Sequence, residues 1–402
     1  MRISGGSRRS FPTEGAPVSR NRPHRGAALI IAALVLLAAF VLAAPYLSQV
    51  LKQSYSYLSG SSTTGPSTVT STPSSTTSTI ATNSTTTSSQ CSSAVSVKKL
   101  AAPDIRNGSA DIAYPSDYCT LAAYALGLIN QDRATNGTGP VTLDYNQAAQ
   151  QHADSMLYYG YFSHFDTQGY KPYMRYSLLG GRGADFENVA FYYFSVPHFV
   201  STDSVETAVK ELEYAMVYND SSCCANGHRY NILDSLHNQV SIGVAYNSTT
   251  VYFDEEFENN YLDLNFTVAP ASASNAYYVT LQAVPTGSFP SPNALYVAFD
   301  DPPAATTPAQ LNSGPHEYGP GTLVGGVLPR TGFFGGCGQF SSGTTVCADT
   351  WKATPGAIEI AFPLESFIKN YGPGVYTLYL ITGSSTDTAI ISVSVFASGG
   401  SG

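Results

Sequence analysis

The distribution of hydrophobic positions divides this chain into four regions. Residues 27–44 are apolar without interruption, which predicts a membrane-spanning helix, whereas residues 61–89 are mostly Ser and Thr and predict an extended, disordered stalk. Between residues 115 and 258, apolar side chains recur at helical spacing in some segments and alternate in others. From about residue 266 they alternate in short runs separated by Pro and Gly.

The third region begins with two predicted helices. Leu121, Ala125 and Ile129 recur every four positions, and Asn136-Gly137 ends this first helix as a turn. The second helix is predicted to begin at Asp144, a favoured N-cap residue, and to end at Gly160. Its apolar face includes His152, which we interpret as a core histidine with satisfied hydrogen bonds.

The remainder of the third region predicts two more helices and a pair of strands. A helical pattern runs over about 204–218, and a shorter helix follows Gly227. Residues 240–246 and 249–257 predict strand, turn and strand. Helices followed by paired strands indicate an α+β domain in this part of the chain.

The C-terminal region predicts an all-β sandwich. Its strand-like runs alternate at period two and are bounded by turn residues. A short helix is predicted within 362–372, and Trp351, the only tryptophan, is interpreted as a core residue. The runs are 277–284, 294–299, 322–328, 357–362, 375–382 and 389–396.

Charge sets the expected membrane topology. The first 26 residues carry six arginines and one acidic residue, so the positive-inside rule keeps this end in the cytoplasm and the rest outside. An uncleaved signal-anchor is the favoured interpretation, and a secretory signal cleaved after Ala44 is the alternative. The expected organisation is a cytoplasmic tail, a membrane helix, a stalk, an α+β domain and a β-sandwich, over residues 1–26, 27–45, 46–96, 97–262 and 263–402.

The overall composition excludes a nucleic-acid partner. The net charge is −9, and without the arginine-rich tail the remaining chain is more acidic still, so it should repel phosphate backbones. Six Asn-x-Ser/Thr sequons lie beyond the apolar segment, which agrees with an extracytoplasmic, glycosylated location. The sequons begin at Asn83, Asn107, Asn136, Asn219, Asn247 and Asn265.

Three motifs follow one another in the third region: HADSMLYYGYFSHFD (152–166), FENVA (186–190) and GHRYNIL (227–233). In order and wording they resemble the CAP family, the SCP/PR-1-like domains, of the bacterial and archaeal type. The stretch 126–156 is also similar to the first two helices of that family. The resemblance covers roughly residues 115–258 and implies a three-layer α-β-α sandwich.

The resemblance implies one cavity formed by His164, Glu187 and His228. Two imidazoles and a carboxylate form an open ligand set that suits zinc or another divalent metal, with His164 and His228 as the metal ligands. Some family members add a second glutamate on the third helix. Glu211 and Glu213 both lie near that position, although the usual W-x-x-E pattern is missing. A polar network that only connects helix ends is the alternative interpretation.

Cysteine positions predict disulfides, because all six cysteines lie beyond the membrane segment. Cys337 and Cys347 flank a glycine-rich turn and are expected to pair with each other. A bond from Cys119 to Cys223 or Cys224 would connect the first helix to the loop before His228. A metal site formed by the adjacent cysteines is a further alternative.

Function is best predicted as binding. The motifs G-x-S-x-G and H-E-x-x-H are absent, so no serine, cysteine or zincin-type site is indicated. We expect a surface-anchored, non-enzymatic module that binds a lipid, glycan or peptide, because tyrosines are frequent over 159–194 and provide rigid contact area. The alternative is a metal-dependent hydrolase or peptidase using His164, His228 and Glu187, with Glu187 as the base.

Overall fold

The computed structural model describes residues 2–5, 91, 116–194, 201–270, 277–289, 291–331, 336–340, 342–382 and 388–397. The predicted membrane segment 27–45 lies outside these residues, and so does the predicted stalk 46–96 apart from Cys91. Within the described part of the chain, no helix combines the length and apolar character needed to cross a membrane.

Six helices surround the first sheet. The first runs closely as predicted, because its apolar residues Leu121, Ala125 and Ile129 are all buried. The second begins later than predicted, at Ala148, because Asp144 ends a short strand and accepts a hydrogen bond from the Asn146 amide instead of capping the helix. The helices are α1 Tyr118–Thr135, α2 Ala148–Tyr159, α3 Pro172–Leu178, α4 Thr202–Tyr218, α5 Ser221–Cys224 and α6 Gly227–Ile232.

The first sheet has five strands in the order β1-β3-β5-β4-β2. β3, β5 and β4 are antiparallel neighbours, and β2 pairs with β4 in parallel. This agrees with the two strands predicted over 240–246 and 249–257. The strands are β1 Arg2–Gly5, β2 Thr142–Asp144, β3 Ala184–Tyr193, β4 Gln239–Tyr246 and β5 Thr250–Asn259.

Strand β1 comes from the predicted cytoplasmic tail. It pairs antiparallel with β3, with Arg2 opposite Phe191.

The two faces of the first sheet pack differently. One face contacts α1 and α4 through a large apolar cluster that includes Leu121, Val209 and Phe253. On the other face α2 lies directly on β4, where a Cβ atom on Gly243 would come within 2.2 Å of the Ala149 carbonyl oxygen. The absence of a side chain at residue 243 thus permits the close contact of α2 with the sheet.

The C-terminal region is rich in β-structure, as predicted. Two sheets, in the orders β10-β9-β8-β13-β14 and β11-β12-β7-β6, share one apolar core. All six predicted runs form strands, and Trp351 packs at the edge of the shared core. The strands are β6 Leu262–Pro270, β7 Tyr277–Pro285, β8 Pro292–Asp300, β9 Thr322–Leu328, β10 Thr344–Cys347, β11 Thr350–Thr354, β12 Ala357–Pro363, β13 Gly374–Thr382 and β14 Thr388–Ala397.

Two short helices complete this region: α7, Pro308–Ser313, lies between β8 and β9, and α8, Glu365–Tyr371, falls within the predicted 362–372 segment. β14 also contacts the first sheet, since the Ser392 amide donates to the Gly183 carbonyl oxygen. The described residues of both regions belong to one compact unit.

The disulfides confirm one prediction and correct another. Cys337 pairs with Cys347 as expected. Cys119 does not pair with Cys223; it bonds to Cys91, which is buried in the core beside α1 although it lies inside the predicted stalk. Cys223 and Cys224 bond to each other. The Sγ atoms of Cys223 and Cys224 also lie within 4.8 Å of ligand atoms of Asp220 and His228, a group of side chains that could hold a metal.

We expect Gly243→Ala to destabilise the fold by about 1–3 kcal/mol, because the added methyl group displaces α2 from β4. Gly127→Ala is the matched control: a Cβ atom there meets nothing within 4 Å, and alanine favours the interior of α1. Urea unfolding measures both variants. Equal stability of the two variants would contradict close packing of α2 on β4.

Candidate functional site

Strand β3 places the central carboxylate of the site. Side chains alternate along a strand, so Asp185 and Glu187 lie on the face of α2 and α3, while Phe186 and Asn188 lie on the face of α1 and α4. The FENVA motif therefore contributes to both sides of the sheet. Glu187 is completely buried.

The Glu187 carboxylate is held by three side chains from three different segments. Its Oε2 lies 2.5 Å from Nδ1 of His164, which follows α2. Its Oε1 lies 2.9 Å from Nδ1 of His152 on α2 and accepts a hydrogen bond from the Arg175 guanidinium on α3. Arg175 also donates to the His164 carbonyl oxygen at 2.8 Å, which fixes the loop that carries this histidine.

These partners fix the protonation states within the cluster. Burial alone would raise the pKa of Glu187, but Arg175, His152 and His164 together lower it far below the usual range. Burial lowers the pKa of His152 to about 4, and Arg175 acts in the same direction. Burial also lowers the pKa of His164. At neutral pH the cluster thus consists of an ionised carboxylate, a guanidinium and two neutral imidazoles.

His228 belongs to a second group near the first. It lies on α6 with its Nδ1 2.5 Å from Oδ1 of Asp220, the residue just before α5. The other carboxylate oxygen of Asp220 accepts from the Arg229 amide. His228 is close enough to His164 for its charge to lower the pKa of His164. The structure therefore brings His164 and Glu187 into contact, with His228 nearby and bonded to a different carboxylate.

Of the two glutamates near the position that the resemblance implies, Glu213 is buried and Glu211 is exposed. Glu213 lies on α4, where burial and the neighbouring Glu255 of β5 raise its pKa well above the usual range. Glu255 also accepts from the Asn188 side chain at 3.1 Å, and Asn188 reaches the His228 carbonyl oxygen. Glu211 is exposed and bonds to Tyr192 at the surface.

Part of the chain matches a known protein family. Residues 126–266 match the model of the cysteine-rich secretory protein (CAP) family. The chain contains a CAP domain. No curated protein matches the chain.

Two solved structures containing domains of this kind are similar to part of the chain. An extracellular protein with an SCP domain from Bacillus anthracis str. Ames is 19% identical over 35% of this chain and 41% of its own, with a TM-score of 0.27. The CAP domain of enterococcal PrgA is 13% identical over 35% of this chain and 60% of its own, with a TM-score of 0.25. The matches thus span less than two thirds of either relative.

His164 and His228 are oriented as metal-bound histidines usually are. In each, Nδ1 contacts a carboxylate, Glu187 for His164 and Asp220 for His228. The Nε2 of His164 is buried without a hydrogen-bond partner. The Nε2 atom of His164 is thus the one through which this side chain would bind a metal, which would act there as a Lewis acid, with Glu187 behind His164 instead of on the metal.

A second carboxylate–imidazole group fits a metal less well. His152, Glu187 and Asp254 bring one ligand atom each within 4.8 Å of one another. However, the Arg175 guanidinium contacts Glu187 and lies 3.1 Å from Nδ1 of His152. A cation already lies beside this group, so a metal ion there would be repelled.

Four residues of the site were not assigned to it by sequence reasoning. His152, predicted to be a core histidine, is buried but contacts the central carboxylate. Asp220 and Arg175 carry no motif of their own, although a lone arginine among the aromatic residues of YKPYMRY suggests a buried partner. Tyr318 comes from the C-terminal region; its hydroxyl accepts a hydrogen bond from the Glu187 amide, and no sequence pattern indicates this contact.

Buried carboxyl groups surround the CAP site. Burial raises the pKa of Glu255 and of Glu256 to about 7 and that of Asp154 to about 7. It raises the pKa well above the usual range at four more groups. These are Asp185, Glu213, Asp254 and Glu258.

We expect Glu187→Gln to destabilise the CAP domain by about 3–5 kcal/mol, because the neutral amide leaves the buried Arg175 guanidinium without its closest anion. Glu211→Gln is the matched control at an exposed glutamate and should change stability by less than about 0.5 kcal/mol. Urea unfolding at pH 7 compares the two. Similar losses of stability in both variants would show that the contacts of Glu187 contribute little to the stability of the domain.

We expect the free energy of unfolding to fall as pH rises from about 6.5 to 8.5. A carboxyl with a raised pKa binds its proton in the folded chain but not in the unfolded one, so its contribution is present at low pH and lost as pH rises through the folded pKa. His152 has the opposite sign, since its pKa of about 4 makes stability fall as pH drops from 6.5 to 4. His152 therefore does not contribute to the pH dependence of the free energy of unfolding above about pH 6.5.

Glu213→Gln isolates the carboxyl contribution. The variant removes one of two carboxyls that share a proton with a pKa raised by burial and by Glu255. Its unfolding midpoint in urea should vary less between pH 6.5 and 8.5 than that of the wild type. An unchanged pH slope would show that Glu213 does not hold its proton in the folded state.

Proposed function

We propose that this chain is an extracytoplasmic binding module whose CAP domain captures a lipid, glycan or peptide through the surface around His164 and Glu187. The arginine-rich end followed by the apolar segment 27–45 supports membrane anchoring. The Ser/Thr-rich segment would then hold the domain away from the bilayer. The presence of a CAP domain supports binding as the general activity.

One observation carries this proposal: both oxygens of the Glu187 carboxylate are already bonded to neighbouring side chains. A general base needs a free lone pair and a pKa near the working pH. Glu187 contacts Arg175, His152 and His164, and its pKa is lowered well below the usual range, beneath that needed to accept a proton from water. An ionised, fully bonded carboxylate instead orients its neighbours, as a rigid binding site requires.

A metal-dependent hydrolase is the second candidate. It is favoured by the Nδ1 contacts of His164 and His228 with carboxylates and by the unpartnered Nε2 of His164. In that function a metal bound by the two imidazoles would activate water. Glu187 would position His164 and would not act as the base.

Zinc titration followed by a cleavage assay separates the two candidates. The full chain, stripped of metal, is titrated with zinc by calorimetry and then incubated with a mixture of unstructured peptides. We expect no zinc-dependent cleavage, because the Glu187 carboxylate is bonded to three side chains and its pKa lies far below the usual range, so it does not act as the base. Mass spectrometry of the peptides provides the readout.

The His164→Ala/His228→Ala double variant supplies the comparison, with Glu211→Ala as a control at an exposed glutamate. Zinc binding that is lost only in the double variant would establish that the imidazoles converge on one metal. Cleavage that requires zinc and disappears in the folded double variant would overturn the binding function in favour of the hydrolase.

A further inference from the structure

The connection between β8 and β9 is much longer than its endpoints require. The two strands are antiparallel neighbours, so a hairpin of about two to five residues would connect them. Residues 301–321 are used instead, and we call this segment the strap. Connections longer than about 12–15 residues that have little secondary structure are uncommon and usually functional. The only described helix in the strap is α7.

The first half of the strap docks on the loop that carries His164. The Thr306 amide donates to the Thr167 carbonyl oxygen at 2.9 Å, a strand-like contact outside any sheet. Beside it, Gly169 has a φ of +88° and a Cβ atom there would lie 2.5 Å from the Ala304 carbonyl oxygen. The backbones can approach this closely because residue 169 has no side chain.

The end of α7 continues along the same loop. The Asn312 side chain accepts from the Phe162 amide at 2.9 Å and donates to the Gly160 carbonyl oxygen at 3.1 Å. The side-chain amide of Asn312 thus makes both hydrogen bonds that a neighbouring backbone segment could make just after α2. Leu311 is buried beside Met156 in the apolar cluster below.

Tyr318 completes the contact at the centre of the site. Its hydroxyl accepts from the Glu187 amide at 2.8 Å, and its ring centroid lies 4.7 Å from that of His164. Next to it, the Gly319 carbonyl oxygen accepts from both Lys171 and Tyr173. His164 and Glu187, both contacted by Tyr318, are 0% exposed in the folded chain.

We propose that the strap is an internal peptide ligand of the CAP site. The external ligand is then a peptide that presents a tyrosine where the strap presents Tyr318. This inference rests on the proposed binding function and deepens it by selecting peptide from the three ligand classes. Capture of the external peptide requires the strap to leave the site.

The contacts define the chemistry that such a peptide must supply. The Glu187 amide and the His164 ring select a flat ring with a hydroxyl acceptor at its tip. The Lys171 ammonium and the Tyr173 hydroxyl select a backbone carbonyl oxygen one residue later. The paired hydrogen bonds at Phe162 and Gly160 select an amide side chain or an extended backbone six residues earlier.

A labelled peptide of residues 310–321 tests the assignment by fluorescence anisotropy. It is added to the full wild-type chain and to the full chain carrying Asn312→Ala and Tyr318→Ala, which weakens the strap. We expect at least tenfold tighter binding to the double variant, because the wild-type site is already occupied. A control peptide with alanine at the position of Tyr318 should bind at least tenfold more weakly.

Tyr371→Ala is the matched chain control, since Tyr371 belongs to the same β-rich region and contacts the Val324 carbonyl oxygen, away from the CAP site. It should behave as the wild type. Absent binding to a folded double variant, or equal binding of the two peptides, would overturn the strap as a ligand. Zinc-dependent cleavage of the bound peptide would overturn the non-enzymatic function while leaving the strap assignment intact.

Hydrogen exchange of the unmodified chain tests displacement without any substitution. The Glu187 amide and strap residues 301–321 should exchange together, and at least tenfold faster than the amides of β13, because strap opening leaves the β-rich core folded. Exchange of the Glu187 amide only at the rate of β13 would show that the strap leaves only when the whole chain unfolds. That result would overturn the proposal.

Discussion

The contact of one carboxylate with three side chains is the constraint on which the site depends. Glu187 of β3 contacts His152 of α2, His164 of the following loop and Arg175 of α3. The sheet and two helices are therefore connected at a single buried anion. An isolated charge in this position would be prohibitively costly to bury, so the partners and the carboxylate must be retained together. This interdependence explains why motif residues far apart in the chain have to converge.

The negative charge around this contact is reduced largely by protonation of the neighbouring carboxyl groups. Asp185, Asp254, Glu256 and Glu258 lie on the same face of the first sheet as Glu187, and Arg175 is the guanidinium that contacts them most closely. One cation cannot neutralise five carboxylates. Raised pKa values let most of them remain protonated, and a protonated carboxyl can donate as well as accept a hydrogen bond. An acidic setting therefore suits this domain better than an alkaline one.

The spacing of apolar residues was sufficient to predict most helices and strands, because an element that buries one face repeats apolar residues at its own period. The β runs of the C-terminal region and the helix over 204–218 were predicted from that spacing. The start of α2 was predicted wrongly. Asp144 accepts a hydrogen bond from a neighbouring amide, and residues 142–144 form a strand parallel to β4. Local capping preference cannot indicate such a tertiary pairing.

The candidate site was partly predictable for a related reason. His164, Glu187 and His228 have motif neighbours that identify them. Arg175 and Tyr318 reach the site through tertiary contacts, and nothing within a few residues of either one indicates its partner. Cys119 shows the same limit, since its partner Cys91 lies in a segment whose composition predicts disorder.

The Cys91–Cys119 bond has a mechanical consequence. A pull on the chain before residue 91 passes through this covalent bond into the first turn of α1, and bypasses residues 92–118. Those residues form a closed loop that carries no tension while the bond is intact. Reduction of the bond would release this loop and lengthen the chain before α1 by up to about 3.3–3.6 Å per residue without unfolding a single strand. The disulfide thus sets where a load enters the domain.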